Sequence, residues 1–99
     1  MTFAQTFQKE AIANAQAAML AHGCPTKRLI QNLETYGGVK TAKELAGKHR
    51  TSDGFDALCR CGHPELTLEA LMVQGKYGSL FTDEEVNHCL EILVEAGYF

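Results

Sequence analysis

The sequence predicts an all-α fold, a single compact domain of about six short-to-medium helices in an orthogonal or irregular bundle. Three observations carry this. Apolar residues recur every three to four positions in most segments. Helix starts are marked by Thr67 and by Thr82-x-x-Glu85. No stretch of strand length alternates between apolar and polar residues.

The first helix is expected over residues 1–22. Phe3, Phe7, Ala11, Ala15 and Ala18 or Met19 form a narrow stripe rich in alanine, which lets a partner helix approach closely. The stripe is expected in the core, with a self-association surface as the alternative. His22-Gly23 ends the helix, and Pro25 suits the first turn of a second one. Leu29, Ile30 and Leu33 give that helix its apolar face, with Tyr36 near its end. Gly37-Gly38 breaks the chain. A short third helix follows with Val39, Ala42, Leu45 and Ala46 inward, and Gly47 stops it.

Residues 48–51 form a basic loop into the stretch Ser52–Leu71, around which the other helices are expected to pack. Ser52 or Asp53 can N-cap a fourth helix. Phe55 and Leu58 share its inner face, Gly62 is a natural C′ residue and Pro64 prevents continuation. Thr67 caps a fifth helix, flanked by Leu66 and Leu71 at staple positions. In the last helix, Thr82 and Glu85 make a capping box, while Phe81 and Val86 sit where a staple closes. Val86, Cys89, Leu90, Leu93 and Ala96 form a face wide enough to predict a central place in the core. Gly97 is its expected C′ residue. The predicted core is thus Phe55, Leu58, Leu66, Leu71, Phe81, Val86, Leu90 and Leu93.

At 99 residues the chain fits one domain, 1–99, which buries about two-thirds of its unfolded surface. No apolar run approaches the ~20 residues of a membrane span. The N-terminus lacks a basic n-region and an unbroken apolar h-region, so no signal peptide is read and a cytoplasmic location is expected. The four cysteines are then expected as thiols. Net charge is -3 but unevenly spread. Residues 27–60 carry seven lysines and arginines against four acids, and residues 61–99 carry Lys76 against seven acids.

Several pieces together resemble a family of small all-helical bacterial domains with no activity attached to it. They are Tyr36-Gly37-Gly38, Ala42-Lys43-x-Leu45, Ser52-Asp53-Gly54-Phe55-x-x-Leu58, Gly62, Leu66-Thr67-x-Glu69-Ala70-Leu71, Leu80-Phe81-Thr82-x-x-Glu85 and Gly97-Tyr98. The resemblance covers residues 24–98 and implies a helical core there, with residues 1–22 added to it. This chain departs from the family pattern at Cys59, where a tryptophan-like position falls, and at His63-Pro64, where the family has Arg-Leu.

Three chemistries compete for the remaining residues. Cys59-x-Cys61-x-His63, with His88-Cys89 elsewhere, offers thiolates and imidazole for zinc, but single-residue spacing is poor for a knuckle. Buried structural thiols are the expected reading, and no metal or cofactor is expected. Catalysis by Cys59 or Cys61 with His49, His63 and Asp53 or Asp56 has no flanking motif behind it, so no enzyme is expected. A helix-turn-helix-like nucleic-acid-binding accessory protein is the runner-up, with Lys40, Lys43, Lys48, His49, Arg50 and Arg60 as the contact residues. Its would-be recognition helix carries two aspartates and one arginine, a poor set for base edges. The favoured function is therefore a non-enzymatic protein-binding module whose same basic residues meet a protein partner or a second copy. A small adaptor or inhibitor, of the kind mobile elements carry, fits that description. No membrane and no small-molecule substrate is expected.

Overall fold

The computed structural model describes residues 2–98; Met1 and Phe99, the ends of the predicted 1–99 domain, lie outside the described residues. Six α-helices and two 3-10 turns make up the fold, with no strand among the described residues. The α-helices are α1 (Phe3–His22), α2 (Lys27–Tyr36), α3 (Gly38–Gly47), α4 (Phe55–Arg60), α5 (Leu68–Met72) and α6 (Asp83–Glu95). The 3-10 turns cover Pro64–Leu66 and Gly75–Leu80. The fold class is as the sequence predicts.

The central helix is α1, not the predicted α6. Thr2 and Gln5 form a reciprocal capping box at its start, and Gly23 ends it in the left-handed region at φ 66°. Its buried stripe is Phe7, Ala11, Ala15 and Ala18. Small side chains let neighbouring backbones come close: a Cβ on Gly38, the first residue of α3, would stand 2.8 Å from the Gln8 Cα. Phe7 fills the remaining space. Its ring meets the edges of Tyr77 and Phe81, each with centroids 5.2 Å apart. Helices α2, α3 and α5 and both 3-10 turns all touch α1. By contrast α6 buries only Cys89 and Leu93, and Val94 on it is exposed. Phe3, expected on the inner stripe, is 60% exposed at the first residue of α1.

Most of the predicted core is in place. Phe55, Leu58, Leu71, Phe81 and Leu93 are buried. Phe55 packs with Ala70 and Leu93, while Leu58 packs with Ala18 and Cys24. Leu66 and Val86 are half-buried at the edges of these groups. Leu90 is a correction: it is half-buried and lines a shallow groove with Asn87 and Val94 on the outer side of α6.

Long-range partners hold two side chains at helix starts. Pro25 stands outside α2, and Thr26 precedes the first helical residue without capping it. The Thr26 hydroxyl is fully buried and donates to the Ala15 carbonyl at 2.6 Å. This bond satisfies both groups and ties the start of α2 to α1. Likewise α4 has no side-chain cap; Gly54, at φ 83°, occupies the cap position. Ser52 is turned instead toward Glu69 on α5. Its N–H donates to Oε2 and its hydroxyl to Oε1, both at 2.6 Å.

Glu69 is 3% exposed, an unusual place for a carboxylate. Burial pushes its pKa up, against the two Ser52 bonds and the nearby His88. A raised folded-state pKa favours the protonated form. That contribution to stability is complete below the ordinary glutamate value of about 4.3 and is lost as pH rises through the folded value.

Two outcomes are expected. Phe7→Ala should cost about 3–5 kcal/mol, since it empties the space between Tyr77 and Phe81. Against a total of about 5–15 kcal/mol, urea titration should find the variant barely folded. Glu69→Gln keeps an acceptor for the Ser52 N–H and can donate to its hydroxyl. The parent should lose stability relative to this variant as pH is raised from about 4 toward neutrality. Denaturation midpoints that move in parallel over that range would show that Glu69 is not the titrating group.

Candidate functional site

A recess in the surface lies between α2, α3 and the loop after α3. With Leu29, Ile30 and Leu33 buried, α2 turns Arg28, Asn32 and Tyr36 outward along one stripe, at i, i+4 and i+8. Thr41, Glu44, Leu45 and Lys48 face them from α3 and its end. Arg50, Thr51 and Asp53 close the far side, leaving a cleft of about 290 Å³. The Thr41 hydroxyl lies within reach of the Gly37 and Asn32 carbonyls, at 2.8 and 3.2 Å, and holds the two helices together at their junction.

The loop carrying Lys48 and Arg50 is fixed at both ends. Gly47, the predicted stop, is the last helical residue, and the left-handed turn falls on His49 at φ 53°. Arg50 N–H then returns to the Leu45 carbonyl at 2.9 Å, closing the turn as a Schellman motif. A residue other than glycine is uncommon in this conformation, and histidine is among those that adopt it more readily. Its ring packs edge-on to His88 with centroids 5.0 Å apart. The His88 Nε2 is buried and has no hydrogen-bond partner among the described residues. Three residues past His49 the loop is already anchored through Ser52 to Glu69.

The basic residues singled out in the sequence separate into different roles. Lys48 and Arg50 line the cleft. Lys40 sits beside it, with Nζ 5.6 Å from the centre of the Tyr36 ring. Lys43 is engaged elsewhere: its Nζ is 2.8 Å from Glu85 Oε1, clamping α3 to α6. Burial works against ionisation of Glu85, yet the Lys43 bond holds its carboxyl below the usual range. His49 serves the turn. Arg60 hydrogen-bonds back to the Asp56 carbonyl at 3.4 Å and borders a separate groove with Pro25 and Gly54. Arg28 and Tyr36 were not among the predicted contacts. The i, i+4, i+8 stripe was the available signal, but only the pairing of α2 with α3 makes it one wall of a cleft.

The helix-turn-helix reading meets an obstacle in α4. That helix has six residues and buries Phe55 and Leu58, leaving little outward face.

The cysteines and histidines pair in ways the spacing did not suggest. Cys59 is half-buried against Phe55, Ala70 and Leu93, and burial, then Asp56, raises its pKa. Cys89 is buried and donates to the Met72 sulfur at 3.5 Å; burial, with Glu69 and Glu85, pushes its thiol up to about 12. Cys61 is exposed and stands 4.0 Å from the Cys24 sulfur. His63 stacks on His22, with centroids 3.9 Å apart, and its Nδ1 lies 3.0 Å from Glu65. That bond holds the Glu65 carboxyl below its usual range. Among the described residues, no three histidine, cysteine or acidic side chains are grouped to hold a metal ion. Nor is any described helix long and apolar enough to cross a membrane.

No protein-family model, no curated protein and no solved structure matches this chain.

Proposed function

We propose that the chain is a non-enzymatic protein-binding module whose cleft between α2 and α3 receives an acidic protein segment. One observation carries the reading. Arg28 and the pair Lys48 and Arg50, from segments about 20 residues apart, come to one cleft and take part in no ion pair among the described residues. Unpaired guanidinium groups in a recess match carboxylates by charge and by planar geometry. Tyr36 is 56% exposed at the rim and gives a partner side chain an aromatic surface at little entropic cost.

The mixed charge of the cleft favours a peptide over a polyanion. Glu44 and Asp53 line it beside the three cations and would face successive phosphates of a nucleic acid. A peptide with a few carboxylates and some donors can use both signs. Asp83, Glu84, Glu91 and Glu95 on α6 are exposed, so the acidic segment can also come from a second copy.

The test is a fluorescence-anisotropy titration of the full chain with a glutamate-rich peptide and, separately, with a random DNA duplex. The peptide should bind, weaken as salt rises and lose about tenfold or more in affinity on Arg28→Glu combined with Arg50→Glu. Concentration-dependent self-association lost in the same variant would identify a second copy as the source of the acidic segment. Duplex binding at physiological salt, with a salt slope that falls by about one per neutralised cation, would overturn the proposal in favour of nucleic acid.

A further inference from the structure

The geometry points to Cys24 and Cys61 as a redox-modification site, a thiol pair that closes into a disulfide by exchange with a small disulfide of the glutathione type. The inference does not rest on what the cleft binds.

Two helix ends meet at this corner. Helix α1 finishes in His22-Gly23-Cys24 and α4 finishes in Arg60-Cys61-Gly62-His63. Gly23 and Gly62 both take the left-handed conformation, at φ 66° and 84°. Each then returns the next N–H to its own helix: Cys24 to Ala18 at 3.0 Å and His63 to Leu58 at 2.9 Å. These turns set the arms against each other, so that Cys24 faces Cys61 while His22 stacks on His63. The sulfurs are 4.0 Å apart, roughly 2 Å beyond bonding distance. A change of side-chain torsion with a small backbone shift can close such a gap.

The two thiols are unequal, which sets the order of events. Cys61 is exposed and meets the oxidant first; Cys24 is buried beneath it. The Cys61 thiolate attacks one sulfur of glutathione disulfide, forming a mixed disulfide and releasing one glutathione thiolate. The Cys24 thiolate then attacks the Cys61 sulfur, and the second glutathione leaves. Two protein thiols are oxidised to one disulfide, one glutathione disulfide is reduced to two thiols, and the two protons pass to the departing thiolates. Burial and the adjacent Cys61 push the Cys24 thiol up, so the second step should quicken as pH rises. The other two cysteines cannot substitute. Cys59 is packed against Phe55, and Cys89 is buried against Met72.

Closure would have a defined reach. The bond would join positions 37 residues apart. The enclosed loop contains α2, α3 and every residue that lines the cleft, including Arg28, Tyr36 and Arg50. Oxidation would therefore restrict the cleft-bearing part of the chain in the unfolded state, while α6 lies outside the closed loop.

The experiment treats the reduced full chain with glutathione disulfide, quenches by acid and maps the products by non-reducing peptide mass spectrometry. A Cys24–Cys61 linkage should form ahead of any involving Cys59 or Cys89. The thermal midpoint of the parent should rise on oxidation by on the order of 10 °C, from the loop entropy removed from the unfolded chain. Cys24→Ser should stop at the Cys61 mixed disulfide with no such rise. A parent that also stops there, with Cys24 still open to alkylation after unfolding, would overturn the inference. So would predominant linkage between two chains through Cys61.

Discussion

Everything else in the fold hangs on how closely two backbones can approach near Gln8. The first residue of α3 lies against α1 with no room for a side chain, and α1 presents alanine at each later turn of the same stripe. Close approach brings many atoms into contact for a helix of modest apolar content. It also sets where Phe7 must go. With α3 so near, the ring is pressed between Tyr77 and Phe81, and the 3-10 segment from Gly75 to Leu80 carries Tyr77 onto it. A bulkier residue at position 38 would push α3 away and leave Phe7 loosely held. The tyrosine is locked from outside as well. Its hydroxyl donates to Glu10, which also holds Lys76 at 2.6 Å.

Much of the chain's local structure was legible in the sequence because its causes are local. Thr67 and the Thr82–Glu85 box cap the helices they should, and Gly62 and Gly97 sit at left-handed helix ends. Phe55, Leu58, Leu71 and Leu93 are buried on the inner faces of their own helices, and Phe81 is buried at the staple position that precedes α6. The failures have a common cause in partners distant along the chain. Ser52 looked like a cap, yet its side chain is taken by Glu69, 17 residues away; Pro25 looked like a first-turn residue, yet the start of α2 is held by the bond of Thr26 to Ala15, 11 residues away. The stripe of α1 was expected in the core, but alanines carry little hydrophobic signal, so the wider apolar face of α6 was expected at the centre.

The same limit applies to the candidate site. Lys48 and Arg50 could be picked out from a charge run, but their fellow cation Arg28 could not, because nothing in the sequence says that α2 and α3 share a wall. Lys43 belonged to the same charge run and proved to be a clamp to α6. Cys61 was grouped with Cys59 by proximity in sequence, whereas the fold pairs it with Cys24. Adjacent residues at a helix end point in different directions, so short spacings there are poor guides to shared chemistry.

The buried Glu69 has a consequence for how the cleft meets a partner. A loop of exposed lysine and arginine would ordinarily sample many conformations, and binding would have to freeze them. Here the backbone of that loop is held by a left-handed turn at one end and by a carboxylate from another helix at the other. The interior of the protein thus determines the shape of its surface. What a partner meets is a wall set in place beforehand, on which only the side-chain tips remain to be arranged.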